Sequence, residues 1–98
     1  MNRIEEKYNN IVIRRGNMWL FFNKDAKEVV ADCREWNIAI KGIDAFLLSG
    51  KGIQPSMEHS LWFKTESERN YSQALEFLSK PENEEFLYEI WFEGYSSI

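Results

Sequence analysis

Between Gly42 and Phe63 the chain reads GIDAFLLSGKGIQPSMEHSLWF, and this stretch limits the possible folds more than any other. Ile43, Phe46, Leu47 and Leu48 make one apolar arm, Ser49-Gly50-Lys51-Gly52 supplies the positive-φ positions of a four-residue turn, and Ile53 to Phe63 returns. The pattern predicts a β-hairpin. Pro55 has no amide to donate, so it either breaks the ladder or lies on a sheet edge, leaving Ser56 to Ser60 as a connector before Leu61-Trp62-Phe63.

Before this hairpin the signals alternate between strand and helix. Residues 1 to 9 carry mixed charge with Ile4 and Tyr8 four apart, consistent with a short helical turn or with a loosely attached terminus. Ile11-Val12-Ile13 and Met18 to Phe22 are β-branched and aromatic runs joined through Gly16-Asn17, a hairpin pair. Asp25 and Glu28 have capping-box spacing, and Val29, Val30, Cys33 and Trp36 follow at helical intervals, so a helix is expected from about Ala26 to Trp36. Asn37 tolerates the left-handed conformation of a helix end. Ile38 and Ile40 then alternate as a strand would, with Gly42 marking a bulge.

After the hairpin, Thr65 and Glu68 repeat the capping-box spacing, and Tyr71, Ala74, Leu75 and Leu78 form a stripe for a second helix from about Glu66 to Ser79. Phe86, Tyr88, Ile90 and Phe92 alternate with Leu87, Glu89, Trp91 and Glu93, which predicts a last strand with Glu89 and Glu93 facing outward. A helix begun at Pro81 competes with that strand. The expected fold is α+β in the order ββ-α-ββ-α-β: one antiparallel or mixed sheet of about five strands, with two helices packed on one face.

Ninety-eight residues suit a single domain, 1–98. No apolar run approaches the roughly 20 residues needed to span a bilayer, and the polar start MNRIEEKYNN lacks the apolar core of a signal peptide, so cytoplasmic residence is expected. One cysteine provides neither an internal disulfide nor the usual four-ligand zinc site. All twelve Lys and Arg lie at or before Lys80, where they meet eleven acids, whereas residues 81–98 carry five Glu and no base. That end repels phosphates and attracts cationic proteins, which disfavours nucleic acid as a partner; the plainer reading is a solvated acidic face that keeps a small domain soluble.

Catalysis finds little support. Cys33 and His59 are the available thiol and imidazole, but Cys33 shares a helix face with Val29, Val30 and Trp36, and His59 lies in a polar connector. Asp44 and Glu58 read as surface carboxylates, and no nucleotide, zinc-protease, calcium or dithiol spacing occurs. Four tryptophans are many for this length. Trp36 is expected in the core, while Trp62 and Trp91 lie on strands where alternate residues must turn away from the helices, either packed or partly exposed. Exposed aromatics beside carboxylates are typical anchors of protein interfaces.

Gly42-Ile43-Asp44-Ala45-Phe46, followed by Ile53-Gln54-Pro55-Ser56-Met57-Glu58-His59-Ser60, resembles small immunity proteins of bacterial polymorphic toxin and contact-dependent growth inhibition systems, over about residues 26 to 80. The resemblance implies a cytoplasmic, monomeric, non-enzymatic protein without cofactor or metal that binds a cognate toxin domain, a basic nuclease in the first instance, by occluding its active site. The alternative is a phage-encoded or regulatory inhibitor of another basic host protein. In either case the expected contact residues are Asp44, Glu58, Trp62, Glu89, Trp91 and Glu93.

Overall fold

The strand Leu87–Phe92 (β5) holds the middle of the molecule, and both hairpins are assembled on it. The computed structural model describes residues 3–50 and 52–95. Ahead of β5 the chain forms α1 (Arg3–Tyr8), β1 (Ile13–Arg15), β2 (Met18–Phe22), α2 (Asn23–Glu35), β3 (Ile40–Ser49), β4 (Gly52–Trp62), α3 (Arg69–Leu78) and a 3-10 turn (Pro81–Asn83). Its five strands make one sheet in the order β1-β2-β5-β3-β4, antiparallel throughout. This is the expected α+β architecture.

Strand alternation divides the sheet residues between two faces. One face contributes Phe21, Ile43, Ala45, Tyr88, Ile90 and Phe92 to a core shared with Ala26, Val29, Val30 and Cys33 of α2 and Tyr71, Ala74 and Leu78 of α3. Both longer helices therefore cover the same side. The opposite face has a separate small cluster, Leu20, Phe46 and Leu87, flanked by Ile13, Met18 and Ile53 and containing no helix residue. At the N-terminal end, Ile4 and Tyr8 are buried in the main core, so the first segment is a docked helix. Lys7 pairs with Asp32 at 2.7 Å, and the Tyr8 hydroxyl donates to the same carboxylate.

Helix starts differ from the sequence expectation because buried asparagine amides, rather than the residues with cap spacing, fix the chain there. α2 begins at Asn23 rather than Ala26, without a side-chain cap, and Asp25 sits in its first turn facing the positive end of the helix dipole. The buried Asn23 amide donates to the carbonyls of Leu78 (2.8 Å) and Asn83 (3.1 Å), tying the helix start to the chain around Pro81. α3 begins at Arg69 rather than Glu66, since the Asn70 amide holds the carbonyls of Thr65 (3.0 Å) and Ile40 (3.3 Å) and keeps the preceding residues out of the helix. The end of α2 follows expectation: Asn37 has φ 55°, Ile38 N–H donates to Cys33 O, and Asn37 N–H donates to Arg34 O, a Schellman closure.

The sheet also corrects several strand boundaries. β3 starts at Ile40, leaving Ile38 outside it, and runs unbroken through the expected bulge at Gly42, where its register with β5 shifts. The central turn closes on a Ser49–Gly52 pair, and of its residues Lys51 lies outside those described. Pro55 sits opposite Phe46 on the outer edge strand, where its missing donor does no harm. Ser56 to Ser60 is not a connector but a bulge within β4. There the ladder shifts register, and the Ser60 hydroxyl accepts the Ala45 N–H (3.0 Å) and donates to Ser56 O (2.9 Å), satisfying polar groups that the shift frees.

The strand reading holds for Leu87–Phe92, and the competing helix from Pro81 is reduced to a single 3-10 turn, Pro81–Asn83. None of the four tryptophans is fully buried: Trp36 is only half-covered, with the Arg3 guanidinium 4.0 Å from its ring centre. Among the described residues, no helix is long and apolar enough to cross a membrane.

Candidate functional site on the helix-free face

The face without helices has an apolar half and a polar half. In the register of β3 and β5, Phe46 lies opposite Leu87, Asp44 opposite Glu89, and Gly42 opposite Trp91, all pointing away from α2 and α3. Trp62 of β4 is the neighbour of Gly42 on its other side. Glycine is required there by contact. A Cβ on Gly42 would lie 2.4 Å from the Trp62 ring, so the bare backbone is what allows that indole to lie flat against β3.

From this position the Trp62 indole N–H donates to Asp44 Oδ1 at 3.1 Å, while the Trp91 indole N–H donates to Oδ2 at 2.9 Å. The two ring centres are 5.9 Å apart. Each carboxylate oxygen is thereby fixed by one neutral donor, which sets the orientation of the group. Trp62 remains 51 % exposed, so much of its ring faces solvent.

Glu89 has a different environment. β2 pairs with β5 only at Phe21–Tyr88 and Phe22–Leu87; beyond that point Tyr95 fills the opening. Its hydroxyl accepts the Trp19 N–H (3.1 Å) and donates to Glu89 Oε2 (2.6 Å), while its ring meets Trp91 edge-on at 5.1 Å. Glu89 is 2 % exposed. The outward carboxylate read from the alternation is therefore a correction: Glu89 does turn away from the helices, but its neighbours enclose it. Burial pushes its carboxyl above the usual range, the Tyr95 hydroxyl pulls it back, the facing Asp44 charge pushes it up again, and the Trp91 N–H opposes that.

Of the six expected contact residues, Asp44, Trp62, Glu89 and Trp91 form this single cluster. Glu58 is exposed on the bulged part of β4. Glu93 lies exposed beyond the end of β5, where its side chain lines a separate cleft of about 370 Å³ with Glu66, Glu68, Asn37 and Tyr71. Sequence reasoning missed Tyr95, which no periodicity marks, and the close approach of Trp62 to Gly42, where only a bulge was foreseen. It also missed an open groove of about 460 Å³ where the start of α2 meets the end of the sheet, between Phe22, Leu48, Phe86 and Leu87, with Lys24 and Lys27 and also Glu84 and Glu85 among its lining.

Cys33 and His59 serve different neighbourhoods. Cys33 is fully enclosed in α2's inner face, where burial first and the Asp32 charge second push its thiol up to about 12. The His59 ring stacks on Phe86 at 4.3 Å, and its Nδ1 is 2.7 Å from Asn83 Oδ1. The polar connector expected around it is thus a packed bulge. No family model, curated protein or solved structure matches this chain.

Proposed function

We propose that this chain is a binding protein of the immunity type, which neutralises a cationic protein domain by docking on it with the helix-free face of the sheet. The observation that carries this reading is the indole-oriented Asp44 carboxylate set beside a half-exposed Trp62 on a sheet face whose apolar cluster contains no helix residue. Carboxylates opposite a cationic surface raise the association rate and exclude anionic partners, and indoles supply the apolar anchors. A nuclease toxin is the favoured partner because its phosphate-binding groove presents the complementary charge.

Working as a monomer in the cytoplasm, the protein would occlude that groove without a cofactor or reaction of its own. An inhibitor of another basic host protein would use the same face, and gene position separates the two, because an immunity gene lies next to its toxin gene. Co-purification of the tagged chain with the product of the preceding gene, together with rescue of cells expressing that product, is the deciding test. Complex formation and rescue are expected; a product that neither binds nor harms cells would overturn the immunity reading.

A further inference from the structure

We infer that the Asp44–Trp62–Trp91 cluster is a receptor for one arginine guanidinium of the partner protein, an inference that rests on the docking face proposed above. The first support is the placement of two carboxyl groups side by side. Asp44 and Glu89 sit directly across the β3–β5 ladder, an arrangement that repels. The Lys7–Asp32 and Arg34–Glu68 ion pairs lie elsewhere and do not reach this pair. A cation from outside would relieve the repulsion.

The second support is the construction of the site. Gly42 lets the Trp62 ring lie on the strand, Asp44 fixes its N–H, and Trp91 holds the other carboxylate oxygen, so plane and charge are set before anything binds. A carboxylate has about four acceptor positions, and the indoles use two, leaving room for further N–H donors. A guanidinium is flat, donates in a fork and stacks on aromatic faces, whereas an ammonium does only part of this. The chemistry favours arginine over lysine. It also disfavours a second copy of this chain as occupant, since pairing two such faces would bring four carboxylates together.

The test uses ¹⁵N-labelled protein, whose four tryptophan indole N–H signals report the site directly, titrated with N-acetyl-arginine methylamide and with the lysine and norleucine analogues. Saturable shifts of the Trp62 and Trp91 signals are expected with the arginine probe, several-fold weaker binding with lysine and none with norleucine. Asp44→Asn should weaken arginine binding by at least about tenfold, the scale of a lost charge-assisted hydrogen bond. Should that variant fail to fold, Trp62→Phe, which keeps a ring but loses the N–H, must weaken binding as well. Absence of saturable shifts, equal response to lysine, or unchanged binding in the folded variants would each overturn the assignment. Because the probe is a small molecule, the outcome is separate from the partner test. A complex with the neighbouring product that is indifferent to Asp44→Asn would defeat this inference and leave the proposed function standing; arginine binding without any protein complex would do the reverse.

Discussion

β5 supplies both faces of the sheet from six residues, and the two faces follow different rules. Tyr88, Ile90 and Phe92 enter a core where every neighbour is apolar or has its polar atom satisfied, whereas Leu87, Glu89 and Trp91 line a surface that mixes a small apolar cluster with carboxylates and indole N–H groups. On the first side, position is set by packing against two helices. On the second it is set by directed bonds: an indole to a carboxylate, a phenol to a carboxylate, and a ring on a glycine. Packing tolerates changes that keep volume; directed bonds tolerate changes that keep donors and acceptors.

That difference can be tested by substitution. The largest loss is expected on the packed side, where Leu78→Ala removes a fully enclosed side chain of α3 and should cost about 2 to 5 kcal/mol in denaturant unfolding. A cost near that of a surface change would mean the helix face is misassigned. Next comes Gly42→Ala, which must displace the Trp62 ring and should cost about 1 to 3 kcal/mol as an overpacking change. The more telling readout is the Trp62 indole N–H signal, expected to lose its bonded chemical shift while the signals of Trp19 and Trp36 stay fixed.

Glu89→Gln sharpens the contrast further because it acts through pH. The folded state holds this carboxyl above its ordinary value of 4.5, first because of burial and also because of Asp44, so folding favours the protonated form. Stability from this group is fully present below about 4.5 and is lost as pH rises through the higher folded value, so the charged state is the less stable one at neutrality. The variant should therefore unfold at a higher temperature than the wild type at pH 7, with the gap closing near pH 4. A gap that is constant with pH, or of opposite sign at pH 7, would contradict the enclosed geometry. The smallest effect is expected for Leu47→Ser, at an exposed position of β3, within about 0.5 kcal/mol of wild type in the same unfolding measurement.

Much of this was legible in the chain. Alternation placed Tyr88, Ile90 and Phe92 inside, Gly16-Asn17 and Asn37 marked a turn and a helix end, and Pro55 pointed to the edge strand. What remained hidden depended on contacts distant in sequence. Asp25 and Thr65 have the spacing of caps, yet Asn23 and Asn70 bind carbonyls far along the chain and move both helix starts. Glu89 alternates like a surface residue, and only Tyr95, arriving across the gap between β2 and β5, encloses it. Leu75 belongs to the expected stripe but is only half-buried, since the deepest positions of α3 are Ala74 and Leu78. In the sequence Asp44 reads as a surface carboxylate and Trp62 as a strand aromatic; that one binds the other, and that Trp91 joins them, comes from the pairing of β3 with β4 and with β5.

The central place of β5 bears on the order of events during synthesis. Until residues 87–92 have left the ribosome, the β1–β2 hairpin and the β3–β4 hairpin have no strand between them to join them into one sheet. Phe21 must find Tyr88 and Ile43 must find Ile90 across long stretches of intervening chain, the kind of non-local pairing that makes a small domain fold slowly. The surface carrying Asp44, Trp62 and Trp91 draws on β3, β4 and β5, so the hairpin of β3 and β4 supplies two of its members and β5 the third. A nascent chain stalled before Leu87 would hold the Trp62–Asp44 bond within the β3–β4 hairpin but lack the Trp91 donor and the Glu89 carboxylate that β5 brings beside it.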